Sequence, residues 1–106
     1  MIVIVFLFGG RATAIPSFTV ALYPTVASGE VTIEIYNAYL AHGGIRSAKV
    51  YSTDGSIIKD LTNKIDKGRI GLQVITLDVG SYAGGVYILT ISTGGPPAFQ
   101  KFVKVG

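Results

Sequence analysis

Val31-Thr32-Ile33-Glu34-Ile35-Tyr36 alternates apolar and polar side chains with a period of two. A strand turns successive side chains to opposite faces, so Val31, Ile33 and Ile35 share a buried face while Thr32, Glu34 and Tyr36 share a wet one. Neighbouring stretches read the same way. Residues 17–23 (SFTVALY) form a β-rich run stopped by Pro24, and residues 47–52 set Ala48 and Val50 against Lys49 and Tyr51 on the other face. Thr53-Asp54-Gly55-Ser56 is a hairpin signal, because Asp-Gly supplies the positive φ angles of tight turns between twisted strands. Residues 57–61 are then the returning strand. Residues 72–79, 86–91 and 98–105 complete the set, and VYILTI at 86–91 is apolar on nearly both faces, which suits a central strand. A loop at 38–46 around His42-Gly43-Gly44, a polar segment at 62–71 and Gly94-Gly95-Pro96-Pro97 separate them. About seven strands at short, even spacing, with no helical period, predict an all-β fold: an immunoglobulin-like β-sandwich of antiparallel strands.

Composition narrows the function. The chain has 106 residues, enough for one domain. It is 49% apolar and 14% charged, which excludes disorder, since disorder needs low hydrophobicity and high charge. With no Cys it builds neither a disulfide nor a Cys-ligated zinc site, and one His does not make a His-rich metal site. The net charge of +3 is modest, and the lysines lie scattered among apolar residues. Nucleic-acid binding calls for a dense basic face, so no nucleic-acid partner is expected.

Residues 1–14 stand apart. MIVIVFLF is continuously apolar and is followed by Gly9-Gly10-Arg11-Ala12-Thr13-Ala14. The run is too short to cross a bilayer as a helix, which takes about 20 residues. It suits the apolar region of a signal peptide, with Ala12-Thr13-Ala14 as a small-x-small cleavage site, although no Lys or Arg precedes it. The alternative is an extra strand, because Ile2, Val3, Ile4 and Val5 are β-branched.

Few side chains suggest chemistry. His42 lies in a glycine-bearing loop with no Ser-Asp or Cys arrangement beside it in sequence, so a solvated loop histidine is expected rather than a base. Asp54, Asp60 and Asp66 recur every six residues and hint at calcium, yet the alternating oxygen ligands of an EF-hand loop are missing, and turn-forming aspartates fit better. Tyr36, Tyr39, Tyr51 and Tyr82 suggest either a sugar-stacking platform or ordinary tyrosines with packed rings and wet hydroxyls. Gly84-Gly85 carries no phosphate-binding pattern. No cofactor, metal or catalytic residue is assigned, and no enzyme is expected. A sandwich supports many functions, among them an immunoglobulin-like carbohydrate- or protein-binding module of a secreted protein.

One order of residues goes further. Tyr23-Pro24, Ser28-Gly29-Glu30-Val31-Thr32-Ile33 and Ala48-Lys49-Val50-Tyr51-Ser52-Thr53-Asp54-Gly55 come first. Thr76-Leu77-Asp78-Val79, Gly85-Val86-Tyr87-Ile88-Leu89 and Lys101-Phe102-Val103-Lys104-Val105 follow. Together they resemble the C-terminal sorting domain of type IX secretion cargo, found in Bacteroidota, over residues 16–106. The resemblance implies a domain that directs an attached passenger from the periplasm across the outer membrane, to the cell surface or the medium. It implies as partners the type IX outer-membrane translocon and a sortase-like signal peptidase that removes the domain. The passenger it implies is absent from this chain. Gly85, Val86 and Tyr87 match the family's Gly-x-Tyr strand motif, and Lys101, Phe102, Val103, Lys104 and Val105 match its closing basic-hydrophobic motif. These are the expected translocon-recognition residues. Pro24 matches the first proline of a Pro-Asn-Pro turn, where Thr25 and Val26 replace the other two residues. If the closing strand lies at a sheet edge, its unpaired backbone offers a template to a receptor strand, with Lys101 and Lys104 blunting random pairing. The alternative is that these lysines are gatekeepers alone.

Overall fold

Every apolar alternation read above becomes a strand, because β-branched and aromatic residues recur through them and fit a half-buried pleated surface. In the computed structural model, residues 4–8, 11–15 and 17–106 are described. The strands are β1 (Ile4–Phe8), β2 (Arg11–Ile15), β3 (Thr19–Tyr23), β4 (Val26–Ala27), β5 (Glu30–Tyr36), β6 (Ile45–Ser52), β7 (Ile57–Asp60), β8 (Leu72–Asp78), β9 (Gly85–Thr93) and β10 (Ala98–Lys104). Short 3-10 turns at Ala38–Leu40 and Thr62–Lys64 punctuate the loops.

Two sheets pack face to face. One has three strands in the order β3-β5-β8, the other five in the order β4-β10-β9-β6-β7. The inward residues meet between them: Val31, Ile33 and Ile35 from β5 face Ala48 and Val50 of β6, Leu89 and Ile91 of β9, and Phe102 of β10. Each such aliphatic side chain, fully buried, contributes about 1.5–3 kcal/mol. The fold is therefore the expected β-sandwich, with an immunoglobulin-like plan. The run at 86–91 lies inside β9, which has β10 on one side and β6 on the other.

The seven expected strands pair antiparallel. A further strand, outside that expectation, does not: β4 runs parallel to β10, with Val26 opposite Val103 and Ala27 opposite Lys104. The reason lies in the chain path. β3 pairs with β5 in the three-stranded sheet, the chain crosses at Pro24 through a cis peptide, and the following residues land beside β10 in the other sheet. Of residues 1–14, β1 pairs antiparallel with β2, Val5 opposite Ala14, as a sheet of their own. Val3, named above with the β-branched run, lies outside the described residues together with positions 1, 2, 9, 10 and 16. Among the described residues no helix is long and apolar enough to cross a membrane.

The Asp-Gly turn forms, with one positive φ instead of a pair. Gly55 N–H donates to Ser52 C=O and Ser52 N–H to Ser56 C=O, with Gly55 at φ +88°. This is a three-residue hairpin loop closed by a glycine bulge. Asp54 keeps an ordinary backbone because its carboxylate stabilises the turn instead, accepting from the Ser52 hydroxyl and from Ser56 N–H at 2.9 Å. These bonds, the Ser52 hydroxyl foremost, hold its pKa down from 3.8 to about 2. A depressed carboxylate stabilises the fold above its unfolded pKa, and that contribution is lost as pH falls through the folded value. Carbon-detected NMR titration of the Asp54 carboxyl should give a midpoint near pH 2, and Ser52→Ala should move it up toward 3.8.

Candidate functional site

The two motif segments, more than a dozen positions apart in sequence, are bonded neighbours in the sheet. Lys101 lies opposite Ile88, Phe102 opposite Tyr87, Val103 opposite Val86 and Lys104 opposite Gly85. Alternation then divides these residues between the two faces. Tyr87, Phe102 and Lys104 turn inward and are buried, while Val86, Lys101, Val103 and Val105 turn outward.

The inward residues hold the end of the sandwich together. Tyr87 stacks on Phe102 with ring centroids 5.4 Å apart and planes 17° from parallel. Tyr82 packs on the other side of Tyr87 at 5.2 Å, tilted by 48°. Such pairs add about 0.5–1.5 kcal/mol beyond their buried area. The Tyr87 hydroxyl donates to Ala83 C=O at 2.6 Å, pinning the turn before β9 to the ring beneath it. Burial raises the Tyr82 phenol pKa above 10.0. Gly85 begins β9 at φ +150°, a backbone region that side chains avoid, so the glycine of the Gly-Val-Tyr segment has a conformational cause.

The closing strand is not a free edge along its whole length. Val103 N–H donates to Thr25 C=O at 2.7 Å, and Val105 N–H to Ala27 C=O at 2.9 Å. With β9 on its other side, the segment 103–105 is sealed, and strand addition by a receptor is unavailable there. The paired lysines also differ. Lys101 is exposed, whereas Lys104 is 4% exposed and its Nζ donates to the carbonyls of Val105 at 3.2 Å and Gly106 at 3.3 Å. A lysine turned inward and tied to its own backbone does not guard an edge, and of the two only Lys101 is exposed.

The remaining side chains separate. Asp60 accepts from Thr62 N–H at 2.9 Å, Asp66 from Gly68 N–H at 3.2 Å, and Asp78 from Gly80 N–H at 2.9 Å. Together with Asp54 they are turn aspartates, each satisfying an N–H two residues on. Among the described residues no three His, Asp or Glu side chains gather as a metal site. The tyrosines do not form one platform, since Tyr36 lies on the three-stranded sheet, Tyr51 on the five-stranded sheet, and Tyr82 under Tyr87. Tyr36 instead joins Tyr23 around Glu34, their hydroxyls donating to its two oxygens at 3.2 and 3.0 Å. This trio was hidden in the sequence because it needs the β3–β5 register. His42 is exposed in its loop, its carbonyl accepting from Gly94 N–H at 2.6 Å and its ring lying against Gly95.

Fold and site define a small immunoglobulin-like β domain whose distinctive residues lie on its last two strands. The family model for the secretion system C-terminal sorting domain matches residues 21–105, and the chain belongs to that family. Domains of this family sort proteins for type IX secretion, to the cell surface or beyond, and are non-catalytic in general. No curated protein matches the chain.

Tyr87 tests the packing account. Tyr87→Ala should lower unfolding free energy by about 3 kcal/mol or more, as aromatic truncations in cores do. Tyr87→Phe, which loses only the hydrogen bond to Ala83, should cost about 1 kcal/mol in the same urea titration.

Proposed function

We propose that residues 16–106 act as the address that routes an attached passenger through the type IX outer-membrane translocon, after which a sortase-like peptidase removes the domain outside. The observation that carries this reading is the register of β9 against β10. It joins Gly85-Val86-Tyr87 to Lys101-Phe102-Val103-Lys104-Val105 as one two-stranded unit. Tyr87 and Phe102 serve recognition indirectly, by fixing the shape of that unit. Val86, Lys101, Val103 and Val105 offer it outward as an apolar surface with one cation, and Val26 of β4 extends the apolar row beside Val103. An apolar sheet face bearing isolated positive charge suits a protein receptor with acidic groups among apolar ones. Residues 1–14 are, in this reading, an export leader or, as the β1–β2 pairing favours, an added hairpin.

The test places the full chain behind a periplasmic reporter in a type IX-competent host. The reporter should reach the cell surface or the medium, and Val86→Ser with Val103→Ser should reduce that export while the domain stays folded. A reporter left in the periplasm contradicts the proposal.

A further inference from the structure

Among the described residues, β10 is hydrogen-bonded along its outer edge only where β4 reaches it. The N–H groups of Val103 and Val105 point away from β9 toward Thr25 and Ala27. In an antiparallel ladder every second residue directs its N–H and C=O to the same side, so those of Phe99 and Lys101 point to that edge too. Among the described residues nothing bonds them there, because β3 leaves the seam at Pro24 to pair with β5. The two strands facing this opening are bridged by a side chain, Gln100 Nε2 donating to Val20 C=O at 2.9 Å.

The opening is also a shaped cleft of about 340 Å³, with Phe18, Thr19 and Val20 on one wall and Ala98, Phe99 and Gln100 on the other. Phe99, at 61% exposure, is a large apolar ring left in water at the rim. Unpaired backbone and an exposed ring at one edge match an extended peptide, which offers main-chain donors and acceptors along its length with side chains on both faces. Lys101, exposed at the same edge, selects a segment carrying a carboxylate.

We propose that the open half of β10 takes up an extended strand from a protein partner. That strand bonds the backbone of Phe99 and Lys101, lies along the cleft beside the Phe99 ring and presents a carboxylate to Lys101. The proposal rests on the sorting reading and assigns the mode of engagement, by added strand.

Lys101→Pro removes the outward N–H without breaking a bond to β9, a substitution that edge strands accept. Lys101→Ala keeps the N–H and removes the charge. In the reporter assay on the full chain, Lys101→Pro should lose export with its melting temperature maintained, and Lys101→Ala should keep most of it. Phe99→Pro removes the other outward N–H and should likewise export less with its melting temperature maintained; it decides the matter if Lys101→Pro fails to fold. Export by Lys101→Pro and Phe99→Pro at the parent level overturns strand addition and leaves the sorting reading standing. Equal loss in Lys101→Pro and Lys101→Ala overturns it in favour of charge recognition. A parent fusion held in the periplasm overturns both readings. A dimer in light scattering that Lys101→Pro dissolves identifies a second copy as the occupant and overturns the partner strand.

Discussion

The backbone bonds from Val103 and Val105 to the carbonyls of Thr25 and Ala27 decide how this sandwich ends. The segment before Pro24 is committed to β5, so only a two-residue strand remains to cover the five-stranded sheet. That strand seals the final residues of β10 and leaves the earlier ones open. Alternation along β10 turns Lys104 inward, and the β9–β10 register sets Phe102 against Tyr87. Local pairing with two residues thereby fixes which part of the closing motif has a sealed edge.

Much of the fold was legible because its strands alternate cleanly. Val31-Ile33-Ile35, Ala48-Val50 and the run within β9 each announce an inward face, and the core is built from them. β4 was not legible. Two residues after a proline have no period, and their pairing is specified by the distant β10. The parallel contact was hidden for the same reason. Lys104 was legible in principle, since it lies two positions from Phe102 and alternation alone sets both on one face. Lys101, three positions before it, faces the other side, because an odd number of steps along a strand reverses the face. The aspartates at 54, 60 and 66 were rightly weighed as turn formers, whereas the tyrosines scattered because composition carries no information about which sheet a strand joins.

Membership in the sorting-domain family gives these details a purpose. A secretion address must survive as a folded unit and still be read. Here the motif residues divide the two tasks. Tyr87 and Phe102 stabilise, with Gly85 supplying the backbone turn that lets β9 begin beside them. On the proposed reading, Val86, Lys101 and Val103 remain for a partner, next to an edge whose backbone is half satisfied among the described residues. Motif positions in such a domain are therefore not all contacts, and substituting a buried one tests folding before it tests recognition.

The division of β10 into a sealed and an open half is most directly tested by residue-resolved amide hydrogen exchange on the isolated chain. The structure predicts slow exchange at Val103 and Val105 and exchange faster by orders of magnitude at Phe99 and Lys101, whose N–H groups have no hydrogen-bond partner among the described residues. Equal protection at all four amides would contradict it, because some other strand would then already cover the edge.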